Sequence, residues 1–196
     1  GTLVDSVPDL QASLNRVLAK EGLRTLARDE VTAMIGNGVR VLLSRALTAT
    51  GRTSSDSLLD RLASRVANGL IAEGMRPQVR VAHLDKSSDS FFELLFGVAK
   101  VNAVMVSVNW RLAAPEILHI VNDAEAEILF VGEEYFPLIE SIRDRFTRVR
   151  KIVSLGGRHA DWEAFTVWRD RHSDRDPLLP VKPADTSVQF YTSGTT

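Results

Sequence analysis

Between residues 79 and 191 short apolar runs alternate with longer stretches of helical period, and few folds accommodate that alternation. Val79–Leu84, Val104–Val108, Ile128–Val131, Lys151–Leu155 and Ser187–Tyr191 are runs of four to six residues, the length of strands buried on both faces. Helices are expected between them. Ser90-Phe91-Phe92-Glu93 offers a capping box to a helix reaching about Val101. Pro115 suits a first helical turn, followed by Ile117, Ile120, Val121 and Ala124 on one face. Tyr135, Leu138, Ile139, Ile142 and Phe146 form a further stripe, and Trp162, Phe165 and Trp168 mark a short helix. The pattern predicts an α/β fold: a mostly parallel sheet with helices on both faces, joined by right-handed crossovers. Residues 79–155 should contain four parallel strands. Ligands of such sheets sit beyond the carboxyl ends of strands, where Thr192–Thr196 would lie.

Upstream, Val7, Leu10, Leu14, Val17 and Leu18 keep helical spacing, and Gly22 closes that helix. Val31, Met34 and Ile35 continue on a second helix, broken at Gly36-Asn37-Gly38; Val39–Leu43 suits a helix or a strand equally. Ser54 or Ser55 can cap a helix with the face Leu59, Leu62, Val66 and Leu70, ended by Gly74 and Pro77. The expected organisation is a helical segment over 1–50 and an α/β subdomain over 51–196.

Lys and Arg total 24 against 25 Asp and Glu, a net charge of −1, so neither a nucleic-acid-binding polycation nor an acidic tail is expected. The absence of cysteine excludes disulfide scaffolds and thiolate metal sites, and fits a reducing cytoplasm. The most apolar segment, Phe91–Val108, is interrupted by Glu93, Lys100 and Asn102, so no transmembrane helix is expected. Residues 1–11 lack the pattern of a secretory leader. The sequence stops inside a loop-like run, Tyr191–Thr196, and reads as a fragment of a longer chain.

The histidines, His83, His119, His159 and His172, do not pair at metal-ligand spacing. His83 falls inside a strand and reads as a packed side chain. Ser193 lacks the G-x-S-x-G context of a nucleophile. Arg143, Arg145, Arg148, Arg150 and Lys151 read as a solvated helix end, or alternatively as a patch for anionic headgroups or a phosphorylated ligand. The terminal run Tyr191-Thr192-Ser193-Gly194-Thr195-Thr196 carries hydroxyl donors and a glycine after an apolar strand. Such a run suits anion binding through backbone amides and hydroxyls, although by composition alone it also reads as a flexible loop.

That run resembles the opening of the phosphate-binding signature of AMP-forming acyl-CoA synthetases and related adenylating enzymes, which continues Gly-x-Pro-Lys-Gly. Asp60–Leu70, Gly74–Leu84, Phe91–Leu112, Pro115-Glu116-Ile117 and Ala126–Val131 resemble further segments of the family in order and spacing. The wording Asn109-Trp110-Arg111-Leu112 favours the acyl-CoA ligase branch over amino-acid adenylation domains. Four positions depart from the pattern: Asn102 stands for the usual Gly, Gln78-Val79 for Gly-Asp, and Asp56 for a Tyr. Residues 1–46 do not match the family's lead-in closely.

The resemblance implies the N-terminal part of the adenylating-enzyme large domain, in an enzyme using ATP, Mg²⁺ and coenzyme A on a fatty acid or other carboxylic acid. Thr192, Ser193, Gly194, Thr195 and Thr196 would be the phosphate residues, with Thr192 also near the metal. No catalytic residue is expected within the chain. The signature Lys, the adenine and ribose segments and the acyl pocket would lie beyond Thr196, so these residues alone should be inactive. Peripheral membrane contact and oligomeric state stay open. Two alternatives remain: a fatty-acyl-AMP ligase that passes its adenylate to a carrier protein, and a truncated, non-catalytic interaction module.

Overall fold

The computed structural model describes residues 7–20, 22–34, 58–86 and 88–191. The expected break at Gly36–Gly38, the undecided Val39–Leu43, the caps at Ser54 or Ser55 and the loop Thr192–Thr196 lie outside the described residues.

The first described elements are the helices α1 (Val7–Lys20), α2 (Arg28–Met34) and α3 (Leu58–Ala72). Then come β1 (Arg80–Leu84), α4 (Asp89–Lys100), β2 (Val104–Ser107), α5 (Ala114–Asp123), β3 (Ile128–Gly132) and α6 (Phe136–Glu140). The last elements are β4 (Lys151–Leu155), β5 (Glu163–Ala164), α7 (Phe165–Asp170) and β6 (Val188–Gln189). The strands form one sheet in the order β5-β4-β3-β1-β2-β6, and every pairing is parallel. The four strands expected over 79–155 are therefore present and parallel.

From β1 the chain steps through α4 to β2, then reverses through α5 to β3 on the far side of β1. Crossovers of one hand must change face when the direction of travel reverses, and they do. Val81, Met105, Ile128 and Phe130 pack with α3, α4 and α7, whereas Ala82, Val106, Leu129 and Val131 pack with α5 and α6. Successive residues of each strand supply the two cores because side chains alternate along a strand. Leu14, Leu18, Leu26 and Val31 join the first core, which docks α1 and α2 on the same side.

The helix boundaries follow local chemistry. Gly22 and Gly74, with φ of 67° and 74°, close α1 and α3. The Glu116 carboxylate accepts the Ala113 N–H at 2.8 Å ahead of α5, with Pro115 in its first turn. The capping box expected at Ser90 is not formed. The helix starts one residue earlier, at Asp89, and Glu93 instead accepts Arg169 Nη1 at 2.6 Å, because the buried carboxylate takes a charged partner in preference to a local amide. The stripe over 135–146 is divided into 3₁₀ turns at Glu133–Tyr135 and Arg143–Arg145 flanking the short α6. Trp162 precedes α7 and joins the second core while Phe165 and Trp168 join the first. The intervening Glu163–Ala164 is paired as β5, so a spacing of three residues crosses the sheet.

Two positions in the first core show how closely it is packed. At Gly97 an added Cβ would lie 2.4 Å from Val66 Cγ1 and 2.8 Å from the Ala63 carbonyl oxygen, so α3 and α4 touch through a position only glycine fills. His83 is buried at 1% exposure against the edge of the Phe91 ring, 5.2 Å between centroids. Neither of its nitrogens has a hydrogen-bond partner, and burial lowers its pKa to about 4.

Gly97→Ala should destabilise the protein by about 1–3 kcal/mol in urea unfolding, through overpacking at the α3–α4 contact; an unchanged midpoint would contradict that contact. His83 stays neutral when folded and takes up a proton when unfolded, so stability is intact above the unfolded value of about 6.5 and is lost as pH falls toward about 4. The shift amounts to about 3 kcal/mol by pH 4. His83→Leu should remove that part of the pH dependence, and parallel stability–pH curves for the two proteins would reject it.

Candidate functional site

Strand β6 pairs with β2 through Met105–Val188 and Val106–Gln189. Its direction is that of the whole sheet, so Tyr191 stands at the carboxyl edge, level with the end of β2. The five residues singled out for phosphate, Thr192, Ser193, Gly194, Thr195 and Thr196, come next in sequence and lie outside the described residues. What the structure describes is the platform that precedes them.

Tyr191 ends that platform. Its hydroxyl donates to the Asp123 carboxylate at 2.6 Å, at the end of α5, and accepts Gln189 Nε2 at 2.8 Å. Burial and Asp123 push its pKa up to about 12, so the hydroxyl remains a donor at neutral pH. The sequence marks Tyr191 as the end of a strand and the start of the hydroxyl run, but not its contact with Asp123, which is 68 residues away.

Polar and charged groups gather along the same edge. The Asp85 carboxylate, after β1, accepts the Lys86 N–H at 2.7 Å and lies over Gly132, where an added Cβ would meet it at 2.3 Å. Burial raises the Asp85 pKa. Lys86 Nζ pairs with Glu134 at 2.6 Å. The Trp110 ring, after β2, carries the Arg111 guanidinium at 3.9 Å and Lys86 Nζ at 5.3 Å from its centroid. Among the described residues no group of three or more His, Asp or Glu side chains is arranged to hold a metal ion.

The other sequence candidates do not join this edge. The basic run is not a helix end: Arg143–Arg145 is a 3₁₀ turn, because the α6 helix has already stopped at Glu140. Arg143 pairs with Glu140 and Asp161 at 3.1 Å each, Arg150 with Glu127 at 3.1 Å, and Lys151 with Glu73 at 2.7 Å. Three of its five cations are thus neutralised within the molecule, while Arg145 and Arg148 are exposed. His159 stacks on Trp162 with ring centroids 3.7 Å apart, and its Nε2 lies 3.3 Å from the Glu140 carboxylate. No described helix is long and apolar enough to cross a membrane.

The sequence matches the family described as AMP-binding enzyme over residues 40–196. It is 41% identical over 152 residues to the fatty acid–[acyl-carrier-protein] ligase ScoC of Streptomyces coeruleorubidus, covering 77% of this chain and 28% of that protein. It is 32% identical over 165 residues to the long-chain-fatty-acid–CoA ligase FadD13 of Mycobacterium tuberculosis, covering 80% of this chain and 31% of that protein. The fold superposes on the anthranilate CoA ligase AuaEII, solved in complex with anthranoyl-AMP. The TM-score is 0.65 at 31% identity, covering 70% of this chain and 27% of that one. The chain thus spans less than a third of the length of these relatives. A parallel sheet whose edge strand leads into the Thr/Ser/Gly signature, together with a match over most of the sequence, places this chain in the AMP-binding enzyme family.

Proposed function

We propose that the protein containing this chain is an ATP-dependent ligase that activates a fatty acid as its acyl-adenylate and transfers the acyl group to coenzyme A. In the first step a carboxylate oxygen attacks the α-phosphorus of ATP and pyrophosphate leaves. In the second the thiol sulfur attacks the acyl carbonyl and AMP leaves. The observation that carries the reading is the register of β6, which brings Tyr191 to the carboxyl edge of a parallel sheet, with the hydroxyl run next in sequence.

In this reading Thr192, Ser193, Gly194, Thr195 and Thr196 hold the β- and γ-phosphates. The donor set suits them: hydroxyls and closely approachable backbone amides are what a polyphosphate requires. The Thr192 hydroxyl is a hard oxygen of the kind Mg²⁺ accepts; when bound, the ion neutralises phosphate charge. The loop orients pyrophosphate as it departs and offers donors to the charge that develops on it. The cysteine-free sequence accords with a cytoplasmic enzyme.

A second reading concerns the acceptor alone. The 41% identity to a ligase named for an acyl-carrier protein exceeds the 32% to one named for coenzyme A, which favours a carrier-protein thiol in the second step. Supplying preformed acyl-adenylate with either acceptor to the full-length protein separates the two.

In the full-length protein, replacing Thr192 and Ser193 together by Ala should slow pyrophosphate release by about 10²–10³-fold, the usual effect of removing donors from a preorganised charge-stabilising site. Consumption of preformed acyl-adenylate should be nearly unaffected, because pyrophosphate has already left. Equal losses in both steps would assign the loop a folding role, and no loss in either would reject the assignment.

A further inference from the structure

Strand β6 has only two paired residues, both half-buried, at the edge of the sheet. Apolar burial therefore does little to hold it. Hydrogen-bonding side chains fix it from both ends instead.

Before the strand, Gln78 and Asn102 face each other. Both are non-glycine residues in the left-handed region, with φ of 65° and 55°. Such conformations cost free energy and persist where the surroundings over-determine them. Here the Gln78 N–H donates to the Asn102 carbonyl at 2.6 Å, and Gln78 Nε2 to Asn102 Oδ1 at 2.9 Å. Both side chains then grip the segment leading into β6. Gln78 Nε2 donates to the Thr186 carbonyl at 3.1 Å and Gln78 Oε1 accepts the Thr186 N–H at 3.1 Å. Asn102 Nδ2 donates to Asp185 at 2.9 Å. After the strand, Tyr191 is tied to Asp123 at 2.6 Å, and Gln189 Oε1 accepts Arg80 Nε at 3.3 Å.

We propose that Gln78, Asn102, Tyr191 and Asp123 are positioning residues that fix the path of the chain into residues 192–196 and thereby set the rate of adenylate formation. The proposal rests on the phosphate-loop reading above. Hydrogen bonds are directional where apolar contact is not, and the last of these tethers sits one residue before Thr192. A displacement of about 1 Å in groups that orient a reaction is enough to lower its rate substantially.

The test uses the full-length protein and two variants. Tyr191→Phe keeps the ring and removes the hydroxyl; the double variant Gln78→Gly with Asn102→Gly removes the clamp while relieving both positive φ angles. Three quantities are measured: pyrophosphate release against ATP concentration, consumption of preformed acyl-adenylate, and amide hydrogen exchange along the sheet. Both variants should raise KM for ATP and slow pyrophosphate release by about tenfold. Exchange at 188–191 should accelerate, with adenylate consumption and exchange in β1 and β3 unchanged. Unchanged exchange at 188–191 would overturn the proposal, as would equal loss of both half-reactions with exchange rising across the whole sheet. Thr192→Ala serves as the reference. If it slows pyrophosphate release and the tether variants do not, the proposal fails while the loop reading stands. If neither it nor the tether variants slow the release, the loop reading fails and carries the proposal with it.

Discussion

The Lys100 ammonium is 5% exposed and lies between two carboxylates, Asp60 at 2.9 Å and Asp176 at closer contact. Removing an ion pair's partner inside a protein typically costs about 3–5 kcal/mol, because the remaining charge stays desolvated. These three residues come from α3, from the end of α4 and from the irregular connection between α7 and β6. One buried charge therefore ties the apolar-packed helices α3 and α4 to the connection that leads to β6. Asn68 extends the hold, donating to the Ser173 and Arg175 carbonyls at 2.9 and 2.8 Å. The route to the signature loop is thus laid down by polar contacts with the helices, long before β6 joins the sheet.

The sheet converts that route into a direction. Because every pairing is parallel, the ends of β1, β2, β3 and β6 all open on one edge, where Asp85, Trp110, Glu133 and Tyr191 stand. The interior strands need no polar help to stay in place, being buried on both faces. Among the described residues β6 has no second neighbour, and only Val188 packs, half-buried, against the first core; polar anchors supply the rest. In the proposed reading, the phosphate-facing run begins in sequence where these anchors end.

The interior strands were legible because double burial removes polar residues from them, leaving apolar runs such as Val104-Met105-Val106. β5 was not, since Glu163-Ala164 is only two residues long, half-buried, and has no apolar run. β6 was expected over 187–191, but only Val188 and Gln189 pair, as an edge strand has one partner to limit it. Ser90 and Glu93 looked like a cap because their spacing is right; the competing partner, Arg169, is 76 residues distant in sequence. The phosphate reading of Thr192–Thr196 rests on the resemblance to a known signature. The tethers were hidden for the same reason as Arg169: Gln78 meets Asn102 across 24 residues, and Asn102 meets Asp185 across 83. The hints were Gln78 and Asn102 themselves, both standing where the family pattern has glycine, and Asn102 a residue that tolerates a left-handed turn.

The most direct measurement is a crystal structure of the full-length protein with Mg²⁺ and a non-hydrolysable ATP analogue. The account predicts β- and γ-phosphate density against the backbone amides and hydroxyls of Thr192–Thr196, immediately beyond the Tyr191–Asp123 contact at the carboxyl edge of β6. Triphosphate density bound elsewhere, with residues 192–196 making no contact to it, would contradict it.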